Sequence, residues 1–324
     1  MPVRRKHLWI FSLSGCLGLL AGDHPPLVPT SPPPALSRGS RTLAEEFPHF
    51  HFIHAPPYTL VTDQSADEVE MTLRVLHELR HQFERHFAAL LDTSLAPTDI
   101  EVIFFGHEAN FRRYAQRTAP ALADSAGFFA HSNHRLVLLN QLGTVRYRQF
   151  QNRLAAQEQK LRVSHEPQAS QQLAAWRSQV TLEARRLTVQ LIRHEGAHQL
   201  FAAYGLPPAA PWLSEGLAQY CEPAVMGERH PVLADRLVKF HRTGQLLPLD
   251  ELLTHDAPAG FLALAPAQIE VAYAQSWGLV YRLMQPDYRP AFENLLRTGT
   301  VDSRALRQTF PDLDREWPSF LDRL

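Results

Sequence analysis

The chain has 324 residues, of which 45% are hydrophobic and 20% charged, and its formal net charge is -1. That balance excludes a disordered polyelectrolyte and offers no basic excess for nucleic acid, while the length suffices for one large domain or two lobes. With only Cys16 and Cys221 present, a disulfide framework is excluded as well.

The N-terminus reads as a targeting segment. Arg4, Arg5 and Lys6 precede an apolar run from Leu8 to Leu20, too short to span a bilayer as a mature helix. Leu13-Ser14-Gly15-Cys16 fits a bacterial lipobox, in which cleavage before the cysteine leaves Cys16 as a lipid-modified N-terminus. The other reading is a plain secretory peptide cut near Gly22. Either way the expectation is export, and the lipobox predicts a membrane-anchored lipoprotein of the cell envelope, on the periplasmic side. Residues 1–22 are therefore assigned to the signal or lipoprotein peptide and 23–46, rich in Pro and Ser, to an extended linker that cannot build a core. The folded part is expected over 47–324.

From His49 to His54, histidine alternates with apolar residues up to Ile53, the period of a half-wet edge strand rather than of a second metal site. Val69, Leu73, Leu76, Leu79, Phe83, Phe87 and Leu90 form a helical stripe within residues 65–91, one that should pack on a sheet. Residues 100–105 predict a buried strand, and 127–129 with 135–140 a hairpin about Ser132-Asn133. The polar, Gln- and Arg-rich stretch 147–186 predicts a helical insertion, a hairpin broken at Pro167. It reads as a solvated spacer, with a lid or a partner surface as alternatives.

The stretch from Leu191 to Tyr220 carries the chemistry. In His194-Glu195-x-x-His198, two residues four apart on a helix share one face, so both imidazoles can reach a single ion. Glu195 follows about 100° further round, where its carboxylate can take a proton from water beside that ion. Gly205 and the prolines after it predict a helix stop, and Ser214 is the expected cap of a second helix that returns Glu215 as a third ligand. Two His, one Glu and an open fourth position suit a catalytic Zn2+. Among 17 His and 33 acidic residues a chance match is conceivable. The weight therefore rests on Glu215, on the helix-stop-helix punctuation and on the apolar flanks Leu191, Ile192, Leu200 and Phe201. Cys221 is expected to be a buried structural thiol.

RHEGAHQLF followed by WLSEGLAQY resembles the gluzincin zinc metallopeptidases, and WLSEG is similar to the signature of aminopeptidase N relatives. The likeness is nearest to a group of bacterial exported gluzincin-like domains of unassigned function, and covers about 110 residues well. It implies an α+β, zincin-like fold, with a small mixed sheet lobe packed on an active-site helix and a helical C-terminal lobe over 222–324. It also implies that Tyr273, in YAQSWG, donates to the oxyanion. An edge strand beside the active-site helix would bind extended substrate, and residues 137–139 are the candidate for it. No Gly-x-Met-Glu-Asn segment occurs, so exopeptidase specificity does not carry over and an endopeptidase is expected.

The expected activity is hydrolysis of peptide bonds in a peptide or protein substrate, with Glu195 as the base and His194, His198 and Glu215 as zinc ligands. Two rivals stand beside it. One is a catalytically inactive exported lipoprotein of the same fold that serves as a binding module. The other is a lipid-anchored scaffold in which the histidine helix is purely structural.

Overall fold

The computed structural model describes residues 43, 45–164, 167–206, 210–257, 260–299 and 301–324. The expected signal peptide with Cys16, and most of the Pro-rich linker, lie outside the described residues. The described residues form two compact units, one within 43–85 and 92–205, the other within 86–91 and 206–324.

The first unit is organised on a five-stranded mixed sheet. Its strands are β1 (His51–Ala55), β2 (Tyr58–Thr62), β3 (Ile100–Phe105), β4 (Gly127–Ala130) and β5 (Arg135–Leu139), in the order β1-β2-β3-β5-β4. The two outer pairs are antiparallel hairpins, whereas β2, β3 and β5 run parallel. A parallel strand needs a long crossover and is covered on both faces, which explains why β2 is buried at all its positions and β5 at all but Arg135. Alternate residues divide between the two faces. Val61, Ile103, Phe105 and Val137 pack with Phe47, Phe50, Phe111 and Phe128, while Leu60, Val102, Phe104, Leu136 and Leu138 pack with Val69, Leu73, Leu76 and Ile192. Leu43 already belongs to the first of these layers.

Among the described residues this unit also holds the helices α1 (Ala66–His86), α2 (Glu108–Thr118), α3 (Val145–Ser164) and α4 (Pro167–Ala203). The expected mixed α+β architecture is present, and the expected strand at 100–105 and hairpin at 127–140 are found. Two details differ from the sequence reading. The second arm of the helical hairpin does not end before the His-Glu-x-x-His segment, because α4 runs unbroken for 37 residues through both. Nothing between Pro167 and Ala203 breaks it, since Pro167 sits in the first turn, where a missing N–H costs no hydrogen bond. In addition, residues 137–139 do not form an edge strand. β5 lies inside the sheet between β3 and β4, and the open edge is β4. Four consecutive buried apolar residues, Leu136 to Leu139, mark an interior strand, and the shorter Gly127–Ala130 takes the rim.

Polar contacts fix α4 on the ends of the parallel strands. Asn140, directly after β5 and 2% exposed, donates to Gln64 Oε1 (2.9 Å) and Glu68 Oε2 (3.2 Å) and accepts from Thr188 Oγ1 (3.3 Å) on α4. Thr188 Oγ1 also accepts the Gln141 N–H (3.1 Å), and Arg185 of α4 pairs with Glu68 (3.1 Å). Removing the amide would take from Gln64 Oε1 and from the Leu142 N–H the partner described for them, whereas Glu68 keeps Arg185 and Thr188 keeps the Ala184 carbonyl.

The second unit is helical: α5 (Pro211–Tyr220), α6 (Pro231–Arg242), α7 (Leu249–Thr254), α8 (Pro266–Leu283), α9 (Arg289–Thr298), α10 (Ser303–Thr309) and α11 (Leu313–Arg323). Its centre is α8, whose Trp277 and Leu279 are fully buried and whose Gln275 side chain both accepts from Leu247 N–H (2.7 Å) and donates to Leu247 C=O (3.0 Å). Around His86, Tyr220 OH lies 3.0 Å from Nε2 and Arg289 binds the His86 carbonyl. Burial, reinforced by the Arg289 cation, holds this imidazole down to about 4, so it stays neutral near pH 7. Cys221 is fully buried, as a structural thiol should be. Among the described residues no helix is long and apolar enough to cross a membrane.

Asn140→Ala should lower stability by about 2–3 kcal/mol through the polar groups it strands. Urea unfolding measures this, and a loss below about 0.5 kcal/mol would show that the network is replaceable by solvent.

Candidate metal centre

The local burial of α4 explains which of its side chains are available for chemistry. Ile192, Gly196, Ala197 and Leu200 are buried, whereas Leu191, His194, Glu195 and His198 are half-exposed. The second set recurs at three- and four-residue intervals, which is one stripe of a helix. Glycine and alanine between the two histidines allow close packing on the dry side. A Cβ at Gly196 would lie 2.7 Å from Leu79 Cδ2 of α1. One turn earlier, Leu191 meets the β4 edge strand, where a Cβ at Gly127 would fall 3.2 Å from Leu191 Cδ1 and 2.9 Å from Val137 O.

Within that stripe the His194 and His198 Nε2 atoms are 3.2 Å apart, with ring planes at 78°. Two nitrogen ligands at about 2.0–2.1 Å from one tetrahedral ion are separated by roughly 3.3 Å. The separation in hand thus suits a shared cation, and in its absence one ring N–H can donate to the other nitrogen.

Residues flanking the pair hold the helix on both sides. Arg193, 2% exposed, donates to Gln82 Oε1 of α1 at 3.1 Å. Gln199, 3% exposed, reaches the His134 carbonyl at 3.5 Å. His134 lies in the β4–β5 turn with φ +53°, a left-handed backbone that non-glycine residues adopt at some cost. Sequence reading missed these three residues. A bulky polar residue at a helix position that should be dry was the one available signal.

After Ala203 the chain turns at Gly205, whose φ of +67° is the left-handed conformation expected at that stop. The next helix does not start at Ser214. α5 begins at Pro211 with Ala210 as its cap, and Ser214 N–H already bonds to Ala210 C=O at 3.0 Å. Proline at the first helical position forfeits no intrahelical bond and prevails over a serine three residues later. Glu215 is half-exposed on this helix and is followed by Gly216, which presses directly on α8. A Cβ there would lie 2.5 Å from Ser276 O. Tyr273, one turn before Ser276, is half-exposed, and its ring stands edge-on to Phe261 with centroids 5.3 Å apart. The residues carrying Glu215 and Tyr273 are thus on two helices in backbone contact.

One donor atom from each of His194, His198 and Glu215 lies within 4.8 Å of the other two, and all three residues are half-exposed. Two imidazole nitrogens and one carboxylate oxygen are a donor set that a divalent zinc ion would fit, and Glu195 is not part of that group.

The family described as Protein of unknown function (DUF1570) matches residues 188–302. The matched block includes His194, Glu195, His198, Glu215 and Tyr273, that is, every residue the sequence assigns to chemistry. Comparison with curated proteins finds no match.

Purified protein should take up one zinc ion per chain, and His198→Ala should weaken that uptake by at least about 100-fold in competition with a chromophoric chelator. Failure of the parent protein to bind zinc at all would remove the metal centre.

Proposed function

We propose that this chain is a zinc-dependent endopeptidase of the gluzincin type, with a zincin-like fold. The observation that carries the reading is the gathering of two imidazole nitrogens and one carboxylate oxygen. Three protein ligands would leave a tetrahedral zinc one position for water or substrate, and Glu195 follows His194 on the same half-exposed stripe. The His-Glu-x-x-His and Trp-Leu-Ser-Glu-Gly segments support it through their resemblance to that family.

In this proposal His194, His198 and Glu215 hold the zinc. When bound, zinc supplies Lewis acidity, making a water more acidic and a substrate carbonyl more electrophilic. Glu195 accepts the proton of the attacking water and delivers it to the leaving amine, a transfer that suits a carboxylate one helical step from a ligand. The Tyr273 hydroxyl donates a hydrogen bond to the carbonyl oxygen as negative charge develops there. Among the described residues no strand pairs with the outer edge of β4, beside Leu191, so an extended peptide can add there as a strand. That mode of binding reads backbone rather than a terminus, in accord with cleavage inside chains. The lipobox about Cys16 adds the proposal that the enzyme is exported and tethered to the membrane of the cell envelope.

Two substitutions test the assignment against a pooled peptide library. Glu195→Gln should retain zinc and lose about 10²–10⁴-fold in turnover. Hydrolysis at the parental rate would show that another group is the base. Tyr273→Phe should lower kcat by about 10²–10³-fold with little change in KM. An unaltered kcat would return Tyr273 to an ordinary packing role.

A further inference from the structure

The helical hairpin made by α3 and the first half of α4 has a charge unlike that of the rest of the chain. Residues 145–186 contain eight Lys or Arg against three Glu, a surplus of five in a protein whose net charge is -1. The surplus is also directional. Arg146, Arg153 and Lys160 are exposed and spaced seven residues apart on α3, and seven residues return a helix to within about 20° of the same face. The only acid of α3, Glu158, is turned to the other arm, where Arg177 binds it at 2.9 Å. Glu108, which accepts the Val145 N–H at 2.7 Å, stands at the first turn of α3, and no further acid belongs to α3 itself along the row from Arg146 to Lys160.

Apolar side chains stand among these cations. Phe150, four residues after Arg146 and three before Arg153, meets Trp176 of α4 edge-on at 4.9 Å, so the indole belongs to the same side of the hairpin. Trp176 is 49% exposed, and Val163, one turn beyond Lys160 on α3, is 77% exposed. A polyanionic polymer would gain from the arginines but nothing from the aliphatics. A bilayer surface carrying anionic phospholipid gains from both, since its headgroups attract the cations while indole and aliphatic groups settle at the boundary with the acyl chains.

We infer that the α3–α4 hairpin is a docking surface for anionic phospholipid membrane, using Arg146, Arg153 and Lys160 for the headgroups and Trp176 for the interface. The inference does not depend on the metal centre or on peptidase activity.

Co-sedimentation of the full-length chain with vesicles tests it, using phosphatidylcholine alone and mixtures in which phosphatidylglycerol replaces about a third of the lipid. The apolar leader and its basic residues are common to every variant and cancel in the comparison. The parent should partition at least about tenfold better onto the anionic vesicles, with the preference fading as salt screens the charges. The double variant Arg146→Glu, Arg153→Glu should lose at least about tenfold, Arg146→Lys, Arg153→Lys should retain binding, and Trp176→Ser should weaken it several-fold. Partition of the charge-reversed protein within about twofold of the parent would overturn the inference. So would preferential capture on heparin with no preference for anionic vesicles, which would assign the stripe to a polyanion instead.

Discussion

The site depends on how one long helix is held against a sheet while one stripe of it stays wet. A helix that buries its whole circumference exposes no ligand, and one that buries none cannot keep two imidazoles at a fixed separation. α4 satisfies both demands by confining small and apolar residues to one side. Gly196 and Ala197 let the backbone approach Leu79, and the face opposite carries His194, Glu195 and His198. The separation of 3.2 Å between the two Nε2 atoms is a consequence of that fixed helix, because residues four apart lie one above the other.

Packing alone leaves such a helix free to slide along its axis, since apolar surfaces impose little register. The polar contacts remove that freedom. Asn140 and Gln141 meet Thr188 two turns before the motif, Glu68 meets Arg185, and Gln82 and the His134 carbonyl receive Arg193 and Gln199 on either side of the histidines. Directional bonds in a dry setting carry a large penalty when broken, so they define position where hydrophobic contact defines only proximity. The left-handed backbone of His134 belongs to the same logic, for it aims a carbonyl at a buried glutamine of the motif helix.

Much of this was legible in the residues. The sheet strand at 100–105 and the hairpin at 127–140 follow from apolar runs bounded by turn formers, and the histidine pair with its downstream glutamate follows from spacing on helices. What the sequence concealed is local competition and topology. Ser214 looks like a helix cap, yet Pro211 reaches the helical conformation first and makes Ser214 an interior residue. Val137 to Leu139 looked available for pairing because periodicity cannot tell an interior parallel strand from an exposed one, and only the strand order reveals that β4 takes the rim. The anchors Arg193, Gln199 and His134 were hidden for a different reason: their partners are distant in sequence, and polar residues beside a motif read as solvated until their burial is known.

The second unit repeats the same principle at shorter range. Gly216 follows Glu215 and leaves no room for a side chain against the Ser276 carbonyl, so the helix bearing the proposed third ligand and the helix bearing Tyr273 touch backbone to backbone. Gln275 and Trp277, on either side of Ser276, are wholly buried, which prevents α8 from rotating about its own axis. A tyrosine three residues earlier is therefore carried on a rigid body together with Glu215. Electrostatic assistance to a developing charge requires a donor that is already in place before the charge appears. A glycine-mediated contact between two helices provides that stiffness, whereas a tyrosine on a surface loop would have to be ordered at each turnover.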